Sequence, residues 1–346
     1  MLGVIETPPH LASLQVALGD GLTKVRTCFD THLRFGELPV DELCRHVERY
    51  RGKMLRPILV LTCGMASRSD QNRTDLDAVL SQGHIVSAAV CEMVHMATLV
   101  HDDVLDEAAV RRGVRTINSL RGNEAAVMLG DLLIASAYDL CNTLNSLETS
   151  RLVSRTAMTV CKGELLQLHS RAAWDLSEAS YYKIVSGKTG ALIACACELG
   201  ALHSGASPAI QSALSTFGDK LGIAFQIQDD LLDLMGDEKT VGKSVRKDLE
   251  KSKLTLPLIH HLRTSPAAQR AATISILESI DHDADAASAN YAALIQQLAT
   301  TKSVDFASKI ATDLVNEAKA AIAILPPGPA TDVLHLMADA VINREF

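Results

Sequence analysis

The strongest constraint on this fold is the stretch at residues 83–105, GHIVSAAVCEMVHMATLVHDDVL, where apolar side chains point in nearly every direction around a helix until the run ends in acids. A helix apolar on all sides has no face to offer water and belongs in the middle of a helical bundle. Its acidic end is then held at the rim of an apolar interior. Further segments with apolar residues at helical spacing cover 123–147, 149–173, 178–202 and 209–235, with a C-terminal pair at 289–302 and 305–324. Short Gly, Pro, Ser and Asp clusters separate them, and no segment shows the alternation of a strand. Hydrophobic residues make up 47% of the chain but aromatics only 3%, so the core is built from Ala, Leu, Ile, Val and Met, which suit packed helices. These features predict an all-α, single-domain helical bundle over residues 1–346, with 1–20 as a mobile arm.

A formal charge of -8 argues against general nucleic-acid binding, because it offers nothing to neutralise a phosphate backbone. The eight cysteines lack a repeated C-x-x-C spacing and read as reduced core residues. The N-terminus, MLGVIETPPHLASLQ, has neither a basic n-region nor a long apolar h-region, and no run reaches the roughly 18 apolar residues of a membrane span. A cytoplasmic protein is expected.

Asp102, Asp103 and Asp106 form DDVLD, and Asp229, Asp230 and Asp233 form DDLLD 127 positions later. Residues four apart share a helix face, so Asp102 with Asp106, and Asp229 with Asp233, each make a paired oxygen ligand. Apolar runs, MVHMATLV and LGIAFQIQ, precede the two motifs. Hard oxygen donors suit Mg2+, which keeps several waters and is shared between carboxylates and substrate phosphates, so a diphosphate substrate is implied.

Cations occur in short groups near these acids. Lys53 and Arg56 lie in RGKMLRP at a spacing that on a helix aims both heads one way, Arg111 and Arg112 follow the first motif, Lys188 and Thr189 sit in SGKTG, and Lys243 and Lys253 flank the loop after the second motif. SGKTG is not a P-loop, since the pattern needs Gly at position 182, which is Tyr. His95 lies two helical turns before Asp102 on the same face, placed either to donate to a phosphate or to rest as a satisfied core histidine.

In order along the chain, GKMLRP, EMVHMATLVHDDVLDEAAVRRG, AVMLGDLLIASA, SGKTGAL, GIAFQIQDDLLD and LTLPLIH resemble the trans-polyprenyl diphosphate synthase family, in particular its octaprenyl-type and heptaprenyl-type members. The resemblance implies the isoprenoid synthase fold with a central apolar cavity, and a homodimer. It implies that Asp102, Asp106 and Asp229 bind a cluster of Mg2+ ions, three in number, which grip an allylic diphosphate, with Asp103, Asp230 and Asp233 in support. By the same resemblance Arg111, Lys188, Thr189, Gln226, Lys243 and Lys253 contact that diphosphate, Lys188 joining the six aspartates in catalysis. Lys53, Arg56, His95 and Arg112 would hold isopentenyl diphosphate. After the second motif the run GKSVRKDLEKSKLTLP departs from the family pattern, with Arg246, Lys251 and Ser252 where Gly, Glu and Gly are usual, which predicts a stiffer, more basic loop.

Ala97 and Thr98, five and four residues before Asp102, stand where short-chain members of that family carry aromatics, and Val94 and Cys91 further down are also modest in size. An open shaft and a product of roughly six to ten isoprene units are expected, in a cavity with apolar walls. A terpene cyclase would carry a different second metal motif and an aromatic-rich pocket. A non-catalytic partner subunit would have lost metal ligands, whereas all six aspartates stand here.

Overall fold

The structure, a computed structural model, describes residues 11–69, 79–236, 247–280 and 287–343. Among these the chain is almost entirely helical: α1 (Ala12–His32), α2 (Leu38–Glu48), α3 (Leu55–Ala66), α4 (Gln82–Leu105), α5 (Ile117–Arg121), α6 (Asn123–Asn142), α7 (Leu147–His169), α8 (Glu178–Val185), α9 (Ala191–His203), α10 (Pro208–Met235), α11 (Lys247–Glu250), α12 (Leu256–Thr264), α13 (Ala267–Ile280), α14 (Ala287–Thr300), α15 (Ser303–Ala321) and α16 (Pro329–Ile342). One exception to the expected absence of strands is a two-residue pair, β1 (Val110–Arg111) against β2 (Val114–Arg115), too short for alternation to betray it. α1 runs into the segment expected to be a mobile arm and buries Leu14, Ala17 and Leu18; residues 1–10 lie outside the described residues. Of the polar stretch SRSDQNRTD, which begins at Ser67, residues 70–75 lie outside them as well.

The chain groups into two compact units. The first comprises Met1–Ala157, Leu192–Thr216 and Ile322–His335. Its axis is α4, packed against α1, α3 and α6. Ser81 and His84 close a capping box at the start of α4, satisfying backbone N–H groups that the first helical turn leaves unpaired. His84 also reaches Gly200 O and Ser204 Oγ, tying α4 to α9. At Gly200 a Cβ would lie 2.3 Å from Val60 O, so only glycine lets α9 approach α3 this closely.

The second unit comprises Met158–Ala191, Phe217–Ala321 and Leu336–Phe346. Here α12 packs against α8, α13, α14 and α15. Ser177 caps α8 by accepting from Ser180 N, and Pro257 in the first turn of α12 supplies a preset backbone angle. SGKTG, residues Ser186–Gly190, forms a π-helical turn between α8 and α9. Helix α8 rather than a strand leads directly into it, consistent with setting the P-loop reading aside.

By length and composition alone Gln82–Leu105 and Glu178–His203 are long and apolar enough to cross a membrane, but 78% and 67% of their apolar windows are buried inside the protein, as in core helices. The cysteines are all free; Cys161 is exposed and Cys28 half-buried, whereas the other six are buried as expected.

Candidate active site

The first acidic motif ends α4. Asp102 is half-exposed on the last turn, and Asp106 follows as the C-cap, its N–H donating to Asp102 O. Asp103 turns the other way and is 1% exposed. Its Oδ1 accepts from Arg111 Nε at 2.8 Å and pairs with the same guanidinium's terminal nitrogen at 2.8 Å. Asn118 Nδ2 donates to Asp103 O and Ala108 O, and Thr116 Oγ1 to Ala108 O, so the turn behind the motif is laced shut. Arg111, expected to face a diphosphate, is engaged by Asp103.

The cations of the first unit gather upstream of this end. Lys53 is exposed and precedes α3, because Met54, at φ 51, breaks into the left-handed region before the helix begins at Leu55. The helical spacing expected to aim Lys53 and Arg56 together therefore does not exist. Arg56 is half-buried on α3, and burial followed by the charge of Arg112 lowers its pKa, against the attraction of Glu92. Arg112 donates from Nη1 to Tyr50 O, and Gly52 leaves the room its guanidinium fills. Burial, then Arg56, Arg112 and Arg111, pushes the His95 imidazole well below the ordinary histidine value, so at neutral pH it is an uncharged donor or acceptor among guanidinium groups. Arg51, which the sequence did not single out, is bound to Asp30 and stacked over Phe29. Two and three residues beyond His95 are Ala97, fully buried, and Thr98, whose hydroxyl donates to His95 O.

The second motif lies near the C-terminal end of α10. Asp229 and Asp233 are half-exposed, while Asp230 is 6% exposed. Asp230 accepts from Tyr181 Oη at 2.7 Å and from Gln226 Nε2 at 2.8 Å. Burial, then Asp248, raises its pKa, and the two hydrogen bonds oppose that rise. Gln226 Oε1 in turn accepts from Thr189 Oγ1, which links SGKTG to the motif. Asp233 accepts from Asp248 N, and Lys253 donates to Asp248 Oδ1. Lys188 pairs with Glu164 of α7 at 2.5 Å. Tyr181, Lys188, Thr189, Gln226, Asp230, Asp248 and Lys253 all line one pocket of about 610 Å3 including its open mouth. Ser252, at φ 50, takes a left-handed backbone where the related pattern has glycine, so the departure from that pattern carries strain. Lys243 and Arg246 lie outside the described residues.

The structure thus brings Lys188, Thr189, Gln226, Asp230 and Lys253 together in one unit, and Arg56, His95 and Arg112 in the other. Tyr181, Glu164, Glu92 and Arg51 were not anticipated. Tyr181 lies 49 residues from Asp230 and Glu164 lies 24 from Lys188, separations that no local pattern reveals.

The model of the polyprenyl synthetase family matches residues 39–294. A heptaprenyl diphosphate synthase component 2 of Bacillus subtilis is 31% identical over 307 residues, which cover 89% of this chain and 83% of that protein. Among solved structures, a decaprenyl diphosphate synthase from Rhodobacter capsulatus superposes with a TM-score of 0.86 at 30% identity, covering 97% of this chain and 100% of that one. A polyprenyl synthase from Caulobacter crescentus, solved with calcium and isoprenyl diphosphate, gives 0.85 at 28% identity, covering 96% and 98%. The fold and the two aspartate motifs define an all-α isoprenoid synthase. This chain belongs to the polyprenyl synthetase family.

Proposed function

We propose that the chain is a long-chain polyprenyl diphosphate synthase, which condenses isopentenyl diphosphate head to tail with an allylic diphosphate to give an all-trans product. The observation that carries this reading is the pair of aspartate motifs, each with outer carboxylates left half-exposed and a middle one turned inward. In each cycle the allylic C–O bond breaks, a C–C bond forms to the isopentenyl double bond, one proton leaves, and pyrophosphate is released.

The donor set fits Mg2+. Asp102, Asp106 and Asp229 offer hard oxygens, and among the described residues no three acidic, histidine or cysteine side chains converge tightly enough to hold an ion alone. Phosphate oxygens and water would complete each shell, as Mg2+ prefers. When bound, the metal supplies charge that stabilises the departing pyrophosphate; three ions are proposed by family analogy. Lys188, Thr189, Gln226 and Lys253 would position the allylic diphosphate, joined by Lys243. Asp233, through Asp248 N, and Asp230, through Tyr181 and Gln226, orient the helix that carries Asp229. Lys53, Arg56, His95 and Arg112 would hold isopentenyl diphosphate beside the allylic carbon, where proximity lowers the barrier. Small Ala97 and half-exposed Thr98 support a product of roughly six to ten units. A cytoplasmic, single-domain homodimer completes the reading; exposed Val127 and Met128 on α6 supply apolar surface for a second copy.

The test incubates purified protein with Mg2+, isopentenyl diphosphate and farnesyl or geranylgeranyl diphosphate, and sizes the products by mass spectrometry. Products of six or more units that vanish with EDTA are expected. Turnover only after adding a second chain would make it one component of a two-component enzyme, and no turnover under either condition would sink the reading.

A further inference from the structure

Cations near the first motif are held in two ways. Arg51 is bound by Asp30 and Arg111 by Asp103, so each has a carboxylate beside it. Arg112 donates instead to the carbonyl of Tyr50, a neutral partner that orients the guanidinium without cancelling its charge. Arg112 opens the two-residue loop between β1 and β2, and both loop residues have positive φ, Arg112 at 51° and Gly113 at 78°. Tight hairpins favour such loops, but Asn, Asp or Gly is the usual residue where Arg112 stands, so its surroundings must hold this backbone in place.

Those surroundings come from α2. Tyr50, just past the end of that helix, is the largest fully buried side chain among the described residues, and its hydroxyl accepts from Ile117 N at 2.9 Å where the chain leaves β2. Burial raises the Tyr50 pKa to about 12, so the hydroxyl stays neutral. One turn earlier His46 Nε2 donates to Arg115 O at 2.7 Å, and its ring meets that of Tyr50 edge to face at 5.8 Å. Tyr50 therefore grips the hairpin twice, with its phenol at the exit and its carbonyl at the tip.

We infer that Tyr50 is a positioning residue for isopentenyl diphosphate: pinned by Ile117 N, it clamps the hairpin so that the Arg112 guanidinium is in place before the diphosphate arrives. Preorganisation of this kind is realised as affinity. Tyr50 does not touch the substrate; it acts through Arg112, and His46 steadies the same hairpin from the half-buried side of α2. The inference rests on the assignment of Arg112 to the isopentenyl diphosphate site.

The experiment is a double-mutant cycle of Tyr50→Phe and Arg112→Ala, read by calorimetric titration of isopentenyl diphosphate without metal, steady-state kinetics for both substrates, and thermal melts. Arg112→Ala should weaken isopentenyl diphosphate binding and raise its KM about thirtyfold, as loss of a charged hydrogen bond does. Tyr50→Phe keeps the buried ring and should raise the same KM about fivefold, with the allylic KM and kcat little changed. Added to Arg112→Ala, it should raise that KM by less than about twofold more, because its effect passes through the arginine. His46→Ala should give a smaller rise of the same kind, and it carries the cycle if Tyr50→Phe folds poorly. Equal effects of Tyr50→Phe in both backgrounds would overturn the inference, as would unchanged isopentenyl diphosphate binding in Tyr50→Phe, or equal rises in both KM values with a lower melting temperature. Unchanged binding in Arg112→Ala would remove the assignment beneath it. Wild type that binds isopentenyl diphosphate but makes no product would instead count against the synthase reading, leaving the binding cycle valid.

Discussion

The two acidic motifs are near-identical strings built into opposite electrostatic settings. In DDVLD the inward aspartate, Asp103, is matched by a full charge, Arg111. In DDLLD the inward aspartate, Asp230, is matched by neutral donors, the Tyr181 hydroxyl and the Gln226 amide. The motif ending α4 shares its unit with a crowd of guanidinium groups, whereas the motif on α10 is knitted to Asp248, whose own cation is Lys253. What the motifs share is geometric: on a helix, positions one and five of the pattern fall on one face while position two turns about 100° away. The same five letters thus separate two outward ligands from one inward anchor, and the surroundings decide what the anchor costs.

The sharpest way to break this comparison is to remove an outward carboxylate from each motif. Asp102→Ala and Asp229→Ala should each lower kcat/KM by about a thousandfold or more, since both remove charge that holds the metal cluster, while leaving the thermal melt near that of wild type. If product formation fell less than tenfold in either variant, the symmetry between the motifs would be broken.

Acid should loosen the helix that carries the first motif. Burial, then His203, depresses the His84 pKa to about 4 from 6.5. A neutral His84 accepts from Ser81 N at Nδ1 and donates to Gly200 O from Nε2, and a second proton would destroy the first bond. Because the folded-state value lies below the unfolded one, this stabilisation is complete above pH 6.5 and is lost as pH falls: about 2 kcal/mol by pH 5 and about 3 kcal/mol by pH 4. Denaturant unfolding of wild type and His84→Asn across that window tests it; the variant should show the shallower decline.

The inward aspartates should respond differently to loss of charge. Asp103→Asn leaves Arg111 facing an amide and should cost about 2 kcal/mol, the lower range for a broken ion pair because Arg111 is partly in water. Asp230→Asn can still accept from Gln226, and its amide can donate to the Tyr181 oxygen, so the cost should stay below about 1 kcal/mol. Equal losses in chemical denaturation would remove the distinction between charged and neutral anchoring.

How far the sequence reached follows the same division. Local patterns were readable: the apolar run that became α4 follows from helical periodicity. The Lys53–Arg56 spacing misled, because it presumed a helix where Met54 takes a left-handed turn before the first residue of α3. SGKTG gives no local sign of a π-helical turn, whose wider winding is set by neighbours: Gly163 of α7 has Lys188 N so close that a Cβ would lie 2.5 Å from it. The partners of the inward aspartates were beyond reach for a different reason. Arg111 is eight residues from Asp103 and was noticed for its charge, but Tyr181 joins Asp230 across 49 residues and carries no charge to draw attention.

Two glycines turn that contrast into the smallest test. A Cβ at Gly163 would meet backbone atoms of Gly187 and Lys188, which cannot move without unwinding the π-helical turn. Gly163→Ala should therefore cost about 1–2 kcal/mol in denaturant unfolding and raise the KM for the allylic diphosphate, because Lys188 and Thr189 shift with their backbone. A Cβ at Gly52 would first meet the guanidinium end of Arg112, 2.4 Å away, and that long side chain can swing clear. Gly52→Ala should cost less than about 0.5 kcal/mol, as ordinary surface changes do, yet raise the KM for isopentenyl diphosphate severalfold, since Arg112 would leave its bond to Tyr50 O. If Gly52→Ala instead destabilised the protein as much as Gly163→Ala with no change in either KM, Arg112 would be a structural strut, and the cationic gathering in the first unit would lose one of its proposed hands on the diphosphate.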